Sequence, residues 1–159
     1  MNIFCNKKCC NLKVAEFKPS YTKENKMKKS KAGVFIFDPE SKKVLLVQSR
    51  GNFWGPPKGT MKYGETWITC AIREVLEETG IHVESENFIK ATRIKSSSMY
   101  FFLLMNERDV EIQDKISGND ANGIGWINID CLLKMISNGE ISINKHCKSL
   151  IKIFLKDYL

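Results

Sequence analysis

Residues 59–81 read GTMKYGETWITCAIREVLEETGI, and this stretch decides the fold. From about Glu65 to Thr79 the pattern is helical, and Gly80 supplies a stop signal. Ile68, Ala71, Ile72, Val75 and Thr79 form an apolar stripe. Each helical residue advances by about 100°, so Glu74, Glu77 and Glu78 fall within roughly 100° of arc. Three carboxylates so close repel one another, and that local cost asks for a cation. A hard divalent ion with oxygen ligands, Mg²⁺ or Mn²⁺, meets the need. Glu78 lies beside the Ala71 side of the helix, so it is expected to be partly shielded from water. A solvated acidic face with Arg73 pairing Glu77 would also account for these residues, but the preceding loop argues for chemistry. Trp54-Gly55-Pro56-Pro57-Lys58-Gly59 is stiffened by two prolines and relieved by two glycines. Glycine lets a backbone carbonyl approach an ion, and Lys58 sets a point charge where a phosphate would lie. A rigid cationic loop followed by a carboxylate helix suits metal-assisted attack on a phosphate chain.

Working outward, Ala32 to Phe37 and Val44 to Gln48 read as two strands around the turn cluster Asp38-Pro39-Glu40-Ser41. Residues 51–64 read as a loop. Ile81 to Val83, Phe88 to Ile94 and Ile124 to Ile129 read as strands. Met99 to Met105 reads as a strand buried on both faces. Residues 106–123 are polar and irregular. Helices are expected near Cys131 to Ile136 and from Asn144 to Tyr158. The last is amphipathic, with Leu150, Ile151, Phe154, Leu155 and Tyr158 on one face and Lys145, Lys148, Lys152 and Lys156 on the other.

Gly59, Glu65, Arg73-Glu74-Val75, Glu77-Glu78 and Gly80-Ile81, at the spacing they have here, resemble the Nudix box without departure. The resemblance implies an α/β fold, the Nudix α/β/α sandwich with a mixed β-sheet, over about residues 31–159. It implies hydrolysis of a nucleoside diphosphate linked to another moiety. It also implies that Glu74, Glu77, Glu78 and the Gly59 carbonyl hold Mg²⁺ or Mn²⁺, with Glu77 and Glu78 catalytic. Glu65 and Arg73 would brace the loop against the helix. Lys58, Arg50 and Tyr100 would bind substrate. The flanks resemble the catalytic domain of mRNA-decapping enzymes, while Pro56-Pro57-Lys58-Gly59 is also similar to diadenosine tetraphosphate hydrolases. Diphosphoinositol polyphosphate hydrolases are a third relative, and a non-catalytic Nudix-fold binding module is the alternative outside enzymes. In decapping and dinucleotide relatives a glutamate stands six residues before a strand tryptophan. Here that tryptophan is Trp126 and the position holds Asp120, which keeps the carboxylate, shortens its reach and joins the expected catalytic set. Phe53, Tyr63, Trp67 and Tyr100 lie near the expected cleft. Any of them could stack on a base, although core packing is favoured for Trp67 and Tyr100.

The chain has 159 residues, room for one domain of ordinary size, and 43% of them are hydrophobic, too many for general disorder. The longest apolar run, Met99 to Met105, is far shorter than the roughly 20 residues a bilayer crossing needs. No membrane association is expected. The net charge is +7, and residues 1–32 account for all of it with nine lysines against two acids. The expected organisation is a basic, partly disordered arm over 1–30, with a short ordered piece near Val14 to Phe17, and a hydrolase domain over 31–159. The arm and the lysine face of the last helix fit contact with RNA. Six cysteines without an export signal fit reduced thiols and a cytoplasmic setting. Cys5, Cys9 and Cys10 offer soft ligands, but no second ligand pair follows at zinc-finger spacing.

Overall fold

The computed structural model describes Cys5 and residues 9–14, 29–48, 52–113, 122–154 and 156. Its centre is a mixed sheet. Strands β1 (Asn11–Val14), β2 (Lys31–Asp38), β3 (Lys43–Gln48), β4 (Phe53–Gly55) and β5 (Lys58–Thr60) precede helix α1 (Trp67–Thr79). After it come β6 (Lys90–Ile94), β7 (Ser98–Leu104), β8 (Gly123–Asn128), α2 (Ile129–Ser137), β9 (Ser142–Ile143) and α3 (Lys145–Phe154). The main strand order is β1-β8-β3-β2-β7-β6. β2 and β7 run parallel, whereas β3 pairs antiparallel with both β2 and β8.

The central strands are nearly continuous apolar runs because both of their faces are covered. Ala32, Val34 and Ile36 of β2 join Cys70, Ala71 and Val75 of α1 in one core. Phe35 and Phe37, one residue out of step, join Leu132, Leu150 and Phe154 of α2 and α3 in the other. The two-residue period of a strand thus feeds two cores from one segment, giving the α/β/α sandwich that the sequence resemblance implied.

Several expectations change. Ile81 and Val83 are buried in the α1-side core, but their segment adopts no strand. It plugs the core as an extended linker after the helix stop at Gly80, whose φ is 81°. The strand expected from Phe88 starts only at Lys90. The loop over 51–64 contains β4 and β5, three residues each, clamped between distant partners. Upstream of Lys31, β1 forms an edge of the sheet antiparallel to β8, slightly before the ordered piece read from the sequence. Residues 15–17 of that piece lie outside the described residues. On α3, Cys147, Leu150 and Phe154 are buried while Lys145, Lys148 and Lys152 are exposed, as the amphipathic pattern requires. Leu155 and Tyr158 lie outside the described residues. Among the described residues no helix is long and apolar enough to cross a membrane.

Candidate active site

Helix α1 begins at a reciprocal cap. The Thr66 hydroxyl accepts from the Thr69 amide at 3.1 Å, and the Thr69 hydroxyl accepts from the Thr66 amide at 2.9 Å. The cap leaves Glu65 just outside the helix, where its carboxylate meets Arg73 two turns on. Arg73 donates from Nε to Glu65 Oε2 at 2.8 Å and from Nη2 to Glu65 Oε1 at 2.9 Å. The planar guanidinium and the carboxylate thus meet fork to fork. Nη2 also reaches the Thr60 carbonyl at 3.0 Å, joining the helix to the end of β5. The Lys62 amide adds a third bond to Glu65, at 2.7 Å. Hydrogen bonds from Arg73, assisted by that amide, hold the Glu65 carboxyl down at about 2.

The third arm of Arg73, Nη1, faces the acidic arc. It donates to Glu74 Oε1 at 2.8 Å and to Glu77 Oε1 at 3.1 Å. The three acidic contacts together push the guanidinium pKa further up, Glu65 contributing most. Glu78 is turned to the other side, where its Oε1 accepts from the Lys58 amide at 2.7 Å. The Arg73 guanidinium and the Lys58 amide both bond to the arc that an isolated helix would find repulsive.

The buried face of α1 differs from the apolar stripe read off the sequence. It comprises Cys70, Ala71, Glu74, Val75, Glu78 and Thr79, whereas Ile68 is 39% exposed. Two of the three carboxylates lie inside the helix–sheet contact, Glu74 at 9% and Glu78 at 5% exposure, while Glu77 is exposed. Glycine makes this possible. A Cβ on Gly59 would fall on the Glu74 carboxylate, so only glycine lets that acid approach β5. Similarly, a Cβ on Gly33 would lie 2.7 Å from Lys58 Cβ and 3.0 Å from the Tyr100 ring. That close approach lets the Pro57–Lys58 loop press onto β2.

The donor set at this point is made of hard oxygens: the carboxylates of Glu74, Glu77 and Glu78 and the Gly59 carbonyl. That carbonyl faces α1, where Cys70 Sγ donates to it at 3.6 Å, a weak bond that a cation readily replaces. The set fits a divalent cation of the Mg²⁺ class.

Lys58 is held on the sheet side of the loop. Burial and the neighbouring charge of Lys31 lower its pKa, while Glu78 opposes them. Tyr100 is fully buried, so its ring packs in the core and offers no open face for stacking; the close contact with Gly33 leaves it no room. Its hydroxyl lies 2.7 Å from Nδ1 of His146 on α3. His146 was not singled out in the sequence, since a lone histidine in an amphipathic helix carries no motif. Burial lowers its pKa first, and Lys58, Lys95 and Lys31 lower it further. Lys58 thus neighbours both His146 and Glu78. Of the other aromatic candidates, Phe53 is 54% exposed and Tyr63 fully exposed. Trp67 lies under the Arg93 guanidinium, 5.7 Å from its ring centre. Arg50 and Asp120 lie outside the described residues.

The comparisons with known proteins agree with this geometry. The NUDIX domain model matches residues 27–146. "Putative hydrolase 111R" of Invertebrate iridescent virus 3 is 36% identical over 138 residues, covering 81% of this chain and 78% of that protein. The m7GpppN-mRNA hydrolase dcap-2 of Caenorhabditis elegans is 35% identical over 107 residues. That match takes in 63% of this chain but only 14% of dcap-2, so the chain corresponds to a small part of the longer protein. Among solved structures, the Ap4A hydrolase of C. elegans superposes with a TM-score of 0.58 at 22% identity, covering 80% of this chain and 97% of that one. At that identity the likeness concerns the fold. With the box geometry, the sandwich and these matches together, the chain belongs to the NUDIX domain family and is a hydrolase of phosphoric anhydride bonds.

Proposed function

We propose that this hydrolase removes the cap from mRNA by cleaving the cap pyrophosphate bond, using Mg²⁺ or Mn²⁺. The observation that carries the reading is the place of Lys58 in β5, paired with the β2 strand that holds Lys31, with its amide bonded to the Glu78 carboxylate of the arc. Mutually repelling lysines gain most from a ligand of several negative charges. His146 sits on α3, whose exposed Lys145, Lys148 and Lys152 continue the basic surface, with exposed Lys156 just beyond. A polyphosphate bridge at the arc with an RNA backbone along α3 matches that charge. The likeness to dcap-2 supports the same substrate. So does the basic segment before Lys31.

When bound at Glu74, Glu77, Glu78 and the Gly59 carbonyl, the divalent ion supplies an acidified water and offsets charge on the phosphates. The chain's own residues prepare that site. Arg73 fixes Glu74 and Glu77, and the Lys58 amide orients Glu78. The Lys58 ammonium binds the phosphate bridge. Water adds across the bridging P–O bond, and the products are a cap nucleoside diphosphate and an RNA ending in a 5′ phosphate. Phe53 and Tyr63, the exposed rings near the loop, stack on the cap base.

Competition against labelled capped RNA tests the substrate class. Long capped RNA is expected to compete better than the free cap dinucleotide, and its advantage should shrink steeply as salt rises. Equal competition by the dinucleotide at all salt concentrations would point to a small-molecule substrate such as diadenosine tetraphosphate or an inositol pyrophosphate. Asp120 belongs to the proposed catalytic set as a further ligand or base. Asp120→Asn is expected to lower the rate and change its pH profile, and an unchanged rate and profile would remove Asp120 from the mechanism.

A further inference from the structure

On the α2–α3 side of the sheet, opposite the α1 carboxylates, four cysteines converge. The sulfurs of Cys5, Cys9, Cys10 and Cys131 all lie within 4.8 Å of one another. Cys9 and Cys131 are 3.4 Å apart, and Cys5 and Cys131 3.5 Å. Cys5 and Cys9 are 3.7 Å apart, and Cys9 and Cys10 3.9 Å. None of the four is in a disulfide. Zinc–thiolate bonds of about 2.3 Å in a tetrahedron put the sulfurs about 3.8 Å apart. Four of the six edges, at 3.4, 3.5, 3.7 and 3.9 Å, are close to that size. A disulfide would need the sulfurs at about 2.05 Å. An iron–sulfur cluster spreads its cysteines over a core of several atoms, which is wider than this.

The surroundings suit a thiolate centre. The Asn128 amide donates to Cys10 Sγ at 3.4 Å, the kind of outer bond that steadies a metal-bound sulfur. Cys131 lies in the first turn of α2, where the helix end favours negative charge. A soft dication binds thiolates, so loading the site releases the thiol protons.

We propose that Cys5, Cys9, Cys10 and Cys131 form a closed tetrahedral zinc site that fastens the N-terminal segment to α2. Four protein sulfurs leave no open position, so the role is structural. The three N-terminal ligands directly precede β1, a four-residue edge strand paired only with β8 among the described residues. The metal closes a loop of more than a hundred residues and gives that short strand an anchor.

The full chain, purified without chelator, is expected to carry about one zinc per molecule by elemental analysis. Replacement by Co²⁺ should give the intense visible bands and sulfur-to-metal charge transfer of a tetrahedral thiolate site, unlike Co²⁺ on the oxygen ligands of α1. Cys131→Ser and Cys9→Ser should each lose the zinc and the charge-transfer band, whereas Cys147→Ser keeps both. The cobalt spectrum of the unaltered chain does not depend on how well the variants fold. Background zinc in the unaltered chain with no sulfur-to-cobalt band would overturn the proposal. So would full retention of zinc by Cys131→Ser.

Discussion

Glu78→Gln is expected to lower turnover by at least about 100-fold, since even outer partners of metal ligands commonly cost 10–100-fold when lost, while the thermal midpoint stays close to that of the unaltered chain. The two halves of this result have separate causes. Glutamine is isosteric, and its Oε1 still accepts the Lys58 amide now 2.7 Å from the carboxylate. Glu78 is 5% exposed in the α1–sheet contact, so the substitution also removes a charge from a poorly hydrated place. What disappears is an anionic oxygen for the divalent ion, and with it charge compensation at the phosphate bridge. Activity near that of the unaltered chain at saturating Mn²⁺ would show that Glu78 is no ligand. A collapsed thermal midpoint would show that its role is in folding.

Arg73→Ala should have the largest effect on stability of any single change in the box. The guanidinium holds Glu65 fork to fork, reaches Glu74 and Glu77, and bonds the Thr60 carbonyl. The side chains of Arg73, Glu65 and Glu74 are 21%, 16% and 12% exposed. This is therefore a shielded network rather than a surface pair. Removing this cation from the network costs about 3 kcal/mol. For a chain of this size that is a fall of about 6–12 °C in the melting midpoint. Turnover should fall too, because Glu74 and Glu77 lose the group that positions them. Arg73→Lys should recover only part of either property, since an ammonium keeps the charge and loses the fork. A melting midpoint in Arg73→Ala within a degree or two of the unaltered value would contradict this view of the network.

The box was legible in the sequence because its chemistry is local. Glu65, Arg73, Glu74 and Glu77 meet within two turns of one helix and the loop before it, so their spacing carries their geometry. The central strands were legible for a different reason. With both faces covered, β2, β3 and β7 had to be apolar throughout, and such runs stand out. What escaped was set by distant partners. β4, β5 and β9 are two or three residues long and carry no periodicity; β5 pairs with β2 and β9 with β4, both distant in sequence, and β4 pairs with β3. The buried face of α1 was misjudged because burial of Glu74 depends on the missing side chain of Gly59 across the interface. Cys131 gave no signal as a fourth thiol. It lies 121 residues beyond Cys10, and nothing in the helical pattern of α2 distinguishes it from a core cysteine. Tyr100, for which core packing is the favoured reading of the sequence, is fully buried.

The most direct measurement follows RNA carrying a labelled cap, incubated with the full chain and Mn²⁺. The expected product is labelled cap diphosphate, formed by the unaltered chain and lost both on chelation and in Glu78→Gln. The contrary result is intact capped RNA beside rapid consumption of diadenosine tetraphosphate or an inositol pyrophosphate in a parallel reaction. That outcome would keep the hydrolase and its carboxylate arc and reject decapping as its chemistry.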